Sequence, residues 1–138
     1  MITVTRYHDF SCGHRVVGHE GKCKLLHGHN YRVYFTCKAA HLDSVGRVID
    51  FSAIKSTLCE WLEENWDHRF LAWDQDPLMY QMHVGKEHGI VWVPFNPTAE
   101  NMADYLLKVV GPSILPGSVK LISVIIEETR KCSAEASL

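Results

Sequence analysis

The stretch Cys23-Lys24-Leu25-Leu26-His27-Gly28-His29-Asn30-Tyr31-Arg32-Val33-Tyr34-Phe35 decides how the rest of the chain is read. The run through Tyr31, Val33 and Phe35 alternates like a strand, and a strand sends residues i and i+2 to one face, so His27 and His29 point the same way. His14, from the preceding segment, adds a third imidazole. Three neutral imidazoles hold one Zn²⁺ at about 2.0–2.1 Å and leave a fourth position open, as catalytic zinc sites require. His19 lies in the same loop as His14, but the end of a strand is a more rigid platform than the middle of a loop, which favours His14 as the third ligand.

Working outward, residues 2 to 10 read as a strand with Ile2 and Val4 on one face. A loop through Cys12-Gly13-His14 to Gly21 follows, and residues 29 to 40 form the hairpin partner. Residues 46 to 51 end an extended segment, and Asp50 or Ser52 caps a helix over 52 to 65 whose Ile54, Leu58, Trp61 and Leu62 recur at helical spacing. Residues 66 to 90 read as irregular, ahead of a short strand at 91 to 95. Pro97 and Thr98 start a second helix over 98 to 110, with Met102, Ala103, Leu106, Leu107 and Val110 as its buried stripe and Gly111-Pro112 as its stop. The final strand, 119 to 129, carries Leu121 and Ile125 on one side and Ile122, Val124 and Ile126 on the other. The order predicts an α+β fold, an antiparallel four-stranded sheet with two helices packed on one face. A last strand apolar on both sides implies that the second sheet face meets protein, hence a homo-oligomer.

The 138 residues fit a single domain spanning 1–138. With 14 Lys plus Arg against 16 Asp plus Glu and no basic stripe, the electrostatic footprint of a nucleic-acid binder is missing. No apolar run reaches the length of a membrane span. The first residues alternate at once and lack the pattern of a signal peptide, so a cytoplasmic location is expected. Five cysteines at irregular spacing agree with a reducing compartment rather than a disulfide framework.

Three further groups carry chemistry. Cys23 lies between Lys22 and Lys24 in a polar loop beside the histidines, the setting of a usable base or nucleophile; the lesser alternative is a fourth ligand that closes the metal site as structural. Asp67-His68 pairs a carboxylate with an imidazole whose tautomer it can fix. Glu127 and Glu128 end an apolar strand and point to opposite faces, so one of them is enclosed. A buried carboxylate needs a partner, and the adjacent N–H donors of an amino-pyrimidinone edge would suit it bidentately. A solvated strand end fits Glu127 better.

Taken together, these residues resemble the 6-pyruvoyltetrahydropterin synthase and 6-carboxytetrahydropterin synthase superfamily from about Thr5 to Thr129. The segment from Phe10 to His14 is similar to the one carrying the first zinc histidine, and Cys23 to Tyr31 to the catalytic cysteine with its His-x-His pair. Val48-Ile49-Asp50-Phe51 resembles the lead into the first helix, Asp67-His68-Arg69-Phe70-Leu71 the Asp-His motif, Asn96-Pro97-Thr98-Ala99-Glu100-Asn101 the start of the second helix, and Glu128-Thr129 the pterin-anchoring Glu-Thr. Three residues separate Cys23 from His27, as in the bacterial 6-carboxy enzymes, whereas the 6-pyruvoyl enzymes have a longer interval. Two features depart from the pattern: Ser11-Cys12-Gly13 before the first zinc histidine, and a polar tail from Lys131 to Leu138.

The resemblance implies the tunnelling fold, in which small subunits form a barrel ring and two rings stack, giving a trimer or hexamer with sites between subunits. It implies a substrate, 7,8-dihydroneopterin triphosphate, converted to 6-carboxytetrahydropterin with loss of acetaldehyde and triphosphate on the route to queuosine. Zn²⁺ on His14, His27 and His29 would act as a Lewis acid, Cys23 as the base, His68 oriented by Asp67 as the proton shuttle on the opposite side, and Glu128 as the pterin grip. Glu128 and the Thr98 region, which lines the substrate, would meet the zinc cluster partly across a subunit boundary. The nearest rival is a 6-pyruvoyl synthase, and a rival of another class is a non-catalytic zinc module closed by Cys23.

Overall fold

Strands β1 (Thr3–His14) and β2 (His27–Ala39) form the central antiparallel pair of the computed structural model, which describes residues 1–138. Their ladder runs four residues past the expected end of β1 and sets Phe10 opposite Tyr31, Cys12 opposite His29 and His14 opposite His27. Gly13 faces Gly28 inside this extension. A Cβ on Gly13 would stand 2.6 Å from Phe70 Cδ2, so the bare backbone is what lets a neighbouring strand lie close there.

That neighbour is β3 (Arg69–Trp73), parallel to β1, and β4 (Ile90–Val93) is in turn parallel to β3. On the other side β5 (Val119–Glu127) and β6 (Ser133–Ser137) continue antiparallel from β2. The sheet therefore has six strands in the order β4-β3-β1-β2-β5-β6 and is mixed, not the four-stranded antiparallel sheet expected. β3 escaped a periodicity reading because Leu71 and Ala72 are both buried, which leaves no alternation. β6 is built from Ser-Ala-Glu-Ala-Ser, whose two alanines pack against the core while the polar residues face out.

Helix α1 covers residues 51–65 in three pieces, Phe51–Ile54, a wide π stretch at Lys55–Cys59, and Glu60–Asn65. Asp50 is its cap, accepting from the Ser52 N–H, and the expected Ile54, Leu58 and Leu62 are buried. A short α2 (Pro77–Gln81) begins at the buried cap Asp76 inside the stretch expected to be irregular. Helix α3 covers residues 99–114 as Ala99–Tyr105, a π stretch at Leu106–Val110, and Gly111–Ile114. Thr98 caps it by accepting from the Asn101 N–H.

Gly111-Pro112 does not stop this helix as expected. The Gly111 N–H bonds to the Leu106 carbonyl five residues back, and Pro112, which has no N–H to give, comes directly after this wide turn. Gly111 also lets α3 press on β5, since a Cβ there would lie 2.6 Å from Leu121 Cδ2.

Both long helices cover one face of the sheet, burying Phe10, Tyr31, Val33 and Phe35 with Leu58, Leu62, Met102 and Leu106 in one core. The second face differs from expectation. A bulge in β5 pairs Leu121 with Cys37 but Ser123 with Thr36, so Ile122 is the extra residue. Parity shifts across it, and Leu121, Val124 and Ile126 are all buried in the core. Ser123, Ile125 and Glu127 are left for the outer face. That face is largely polar: Thr5 and Thr36 share a hydroxyl hydrogen bond of 2.9 Å, and the Arg32 guanidinium lies 4.1 Å from the Tyr7 ring centre while pairing with Asp9. The apolar second face from which an oligomer was inferred is not there. No helix is long and apolar enough to cross a membrane, and all five cysteines are free.

Candidate active site

Because β2 begins at His27, its side-chain alternation sends His27, His29 and Tyr31 to the helix-covered face, and the β1 register brings His14 in beside them. His14 Nε2 lies 3.1 Å from His27 Nε2. This is no ordinary hydrogen bond. His14 Nδ1 donates to the Pro97 carbonyl at 2.6 Å and His27 Nδ1 donates to the Leu25 carbonyl at 2.7 Å, so in each neutral ring the one proton is already spent. Two lone pairs then face each other across 3.1 Å, and His29 Nε2 is buried beside them with no hydrogen-bond partner. A positive charge between the rings, a proton or a metal ion, relieves this arrangement. The Nδ1–H to carbonyl bonds are the outer-shell contacts that metal-ligating histidines characteristically make.

The fourth member is Glu128, whose Oε1 stands 3.2 Å from both His14 Nε2 and His29 Nε2. Donor atoms of His14, His27, His29 and Glu128 all lie within 4.8 Å of one another, a group that can hold a metal ion. Ligands about 2.0–2.1 Å from a tetrahedral ion stand roughly 3.3 Å apart, close to the 3.1, 3.2 and 3.2 Å contacts of His14 with His27 and of Glu128 with His14 and His29. The contact with His14, then the fields of His29 and His27, outweigh burial and hold the Glu128 carboxyl below the usual range. Burial, reinforced by His14 and His27, pushes His29 down and favours the neutral form a metal needs, against the opposing pull of Glu128.

The remaining residues distribute as follows. Cys23 lies half-buried on a short 3₁₀ turn, Lys22–Lys24, and its sulfur is not among the converging donors. Glu128 Oε1, not the Cys23 sulfur, is the fourth donor that converges with the three imidazoles, where an open position was expected. His19 turns away and accepts from the Gly21 N–H. Thr98 caps α3 one residue after Pro97, whose carbonyl holds His14. Glu128 and the Thr98 region thus approach the histidines within one chain, not across a subunit boundary as expected.

Asp67 and His68 sit where α1 turns into β3, against the outer side of β1. Ser11 N–H donates to Asp67 Oδ1 at 3.0 Å, His68 N–H donates to the Ser11 carbonyl at 2.7 Å, and His68 Nδ1 meets Asp67 Oδ2 at 2.8 Å. His68 takes a left-handed backbone with φ of 57°, uncommon for a residue with a side chain and held here by the bond to Ser11. Burial raises the Asp67 pKa, but the Ser11 N–H and His68 more than offset it and hold the carboxyl low. The His68 ring is 83% exposed. It borders a cleft of about 550 Å³ whose wall includes Asp9, Asn30, Arg32, Glu127 and Thr129. A shallower recess of about 350 Å³, with His29, Asn30 and His68 in its wall, lies beside the glycine pair. The dyad and the histidine cluster are therefore neighbours at one end of the sheet, on opposite faces.

Tyr31, Arg15, Asp76 and Asn96 join the site without having stood out as functional residues in the sequence. The Tyr31 hydroxyl lies 3.3 Å from both ring nitrogens of His14, and burial, with Cys12, Glu128 and Cys23 nearby, raises its pKa. Asn96 binds both backbone groups of Val17, at 3.0 and 2.9 Å. Arg15 and Asp76 lie far apart in sequence and form no pattern there; only the fold pairs them, at 2.6 and 3.0 Å.

Residues 3–137 match the family model for 6-pyruvoyl tetrahydropterin synthase. A Rickettsia felis protein named 6-carboxy-5,6,7,8-tetrahydropterin synthase is 36% identical over 137 residues, covering 98% of this chain and 99% of its own length. A namesake from Aquifex aeolicus is 35% identical over 122 residues, covering 83% and 75%. Among solved structures, an uncharacterized protein from Wolinella succinogenes superposes with a TM-score of 0.85 at 25% identity, over 99% of this chain and 97% of that one. The Caenorhabditis elegans 6-pyruvoyl tetrahydropterin synthase gives 0.71 at 26%, over 99% and 95%. The family's fold, the three convergent imidazoles and near-complete coverage of relatives agree, and the chain belongs to the 6-pyruvoyl tetrahydropterin synthase family.

Proposed function

We propose that this chain is a zinc-dependent 6-carboxy-5,6,7,8-tetrahydropterin synthase, a lyase that converts 7,8-dihydroneopterin triphosphate to the 6-carboxy pterin with release of acetaldehyde and triphosphate. The observation that carries the reading is the convergence of His14, His27 and His29, with Glu128 beside them, on one point. The names of the full-length relatives support the product assignment. We further propose one catalytic domain over 1–138, acting in the cytoplasm within a homo-oligomer.

Zinc is the metal that a three-imidazole set with one carboxylate suits, and when bound it supplies Lewis acidity toward the oxygens of the substrate side chain. His14, His27 and His29 would hold it, their rings fixed by the Pro97 and Leu25 carbonyls. Cys23 accepts a side-chain proton of the substrate. His68, with Nδ1 engaged by Asp67, presents Nε2 for proton exchange on the opposite side. Glu128 receives the N–H edge of the pterin, and in doing so exchanges its contacts with His14 and His29 for the substrate. Thr98 lines the substrate from the start of α3.

Incubation of zinc-loaded protein with 7,8-dihydroneopterin triphosphate, followed by mass analysis of the pterin and of the small aldehyde, tests this reading. Acetaldehyde in equal amount to 6-carboxytetrahydropterin is expected. A pterin that retains its three-carbon side chain would make the protein a 6-pyruvoyl synthase instead. A second reading, a closed structural metal site, draws on Glu128 in the fourth place. Failure of substrate to change the spectrum of the cobalt-substituted protein, together with no turnover, would establish it.

A further inference from the structure

Arg15 follows the metal-binding candidate His14 directly and spends three donors on two partners. Nε and Nη2 grip the Asp76 carboxylate at 2.6 and 3.0 Å, and Nη1 donates to the Lys24 carbonyl at 3.0 Å. Asp76 is 1% exposed and also caps α2 by accepting from the Leu78 N–H, so its position is fixed from a second side. The Lys24 carbonyl is one of three in succession that are tied down. The Cys23 carbonyl accepts from the Val16 N–H at 2.8 Å, that of Lys24 from Arg15, and that of Leu25 from His27 Nδ1. Asn96 clamps Val17 at both backbone groups, which anchors the other side of the same loop.

The backbone that carries Cys23 is thus laced to residues at or just after two of the histidines, and the long-range anchor that holds its Lys24 carbonyl is an ion pair with a buried carboxylate. We propose that Arg15 and Asp76 are positioning residues for Cys23: the guanidinium, braced by the carboxylate, fixes the Lys24 carbonyl and thereby the thiol relative to the histidine cluster. A guanidinium suits this because its planar fork holds a carboxylate bidentately and still has a donor to spare, which an ammonium on a flexible stem cannot reproduce. The inference rests on the reading of Cys23 as the base, and its test separates the two.

The test variant is Arg15→Lys, which keeps the charge beside Asp76 and loses the fork; Asp76→Glu, which keeps the pair and displaces it by one methylene, is read in parallel in case the first does not fold. Zinc-loaded protein is treated with iodoacetamide and each cysteine followed by peptide mass mapping, with buried Cys12, Cys37 and Cys59 as monitors of the fold and exposed Cys132 as the reference. The expected result is faster alkylation of Cys23 alone, unchanged metal content, and a kcat about 10- to 100-fold lower at unchanged KM, the scale of loss for a misplaced catalytic group. Unchanged alkylation of Cys23 in both folded variants would overturn the proposal, as would acceleration of all four partly or fully buried cysteines together, which marks the pair as a general staple. Faster alkylation of Cys23 with wild-type turnover upholds the positioning and removes Cys23 from catalysis, as full activity of Cys23→Ala would independently show.

Discussion

Asp67→Asn isolates the Asp-His dyad from the metal cluster, because Asp67 touches Ser11 and His68 but none of the three clustered histidines. The asparagine has one acceptor and one donor end where the carboxylate had two acceptors. If its oxygen keeps the Ser11 N–H, the NH₂ group faces His68 Nδ1, which must then accept, and the ring proton moves to Nε2. If the amide flips, its NH₂ opposes the Ser11 N–H, and a part-buried backbone donor is left unpaired at a cost of about 1–3 kcal/mol. The alternative cost, a reversed tautomer on a ring that is 83% exposed, is under about 1 kcal/mol after solvent screening. The first orientation therefore wins. The fold should keep nearly its full stability while Nε2 loses the lone pair with which it would take a proton. Removing a general base typically costs about 10²–10⁴ in rate, so kcat for acetaldehyde release is expected to fall at least about 100-fold. Metal content and unfolding midpoint should stay at wild-type values. A folded, metal-loaded Asp67→Asn protein with kcat within about twofold of wild type would refute the role given to the dyad, since no orientation of the amide keeps both the Ser11 bond and a lone pair on His68 Nε2.

Other expectations follow from the same geometry. Cys23→Ala should bind metal as wild type does, because the sulfur is not among the converging donors, and should lose turnover; sulfur ligation in the cobalt spectrum of the wild type, or full activity of the variant, would contradict this. Gly13→Ala should lower the urea unfolding free energy by about 1–3 kcal/mol, as overpacking does, because the new methyl meets the Phe70 ring at 2.6 Å; unchanged stability would mean that β3 yields without strain. Stability of the metal-free protein should fall as pH drops below about 4, near the ordinary carboxylate value. The carboxyls of Asp9, Asp43, Asp50 and Asp67 are held low in the fold, so their contribution is present above the unfolded value and lost as pH falls through the folded one. Urea midpoints measured between pH 7 and pH 2 check this, and a flat profile below pH 4 would count against it.

The parts of the fold that alternate or recur at helical spacing were legible in the sequence. β2, the stripe of α1 and the stripe of α3 each bury one face in the core and leave the other outward, and a one-sided environment writes itself into the order of residues. β3 is buried on both sides and shows no period. β6 has the period, but alanine and serine contrast too weakly for the Ser133–Ser137 alternation to stand out from a polar tail. The bulge at Ile122 was the costlier omission. It changes no composition, yet shifting the parity of β5 converts an apparent two-faced apolar strand into one with a single buried face. At the site, the His-x-His pair could be read because strand geometry dictates where two residues at i and i+2 point. Glu128 in the fourth place could not, since nothing in the spacing from His29 to Glu128 states that β5 ends beside β2 at that height.

The metal-binding candidates depend on strand register more than on any local motif. His14 and His27 are partners in the β1–β2 ladder, and a slip of one residue would turn every side chain of one strand to the opposite face, parting His14 from the other two. Two features pin the register. Phe10 stacks on Tyr31 inside the core with ring centres 5.3 Å apart, and Gly13, opposite Gly28, leaves the space that the Phe70 ring of β3 occupies. The cost of bringing three imidazoles together is therefore met by core packing, at a site where a bound cation would offset it. A ligand that binds only the folded state raises stability by mass action, and here it also removes the repulsion already present. Metal binding should accordingly raise the unfolding temperature of the wild type, whereas Phe10→Ala, which touches no ligand but loosens the register, should weaken metal binding as well as the fold.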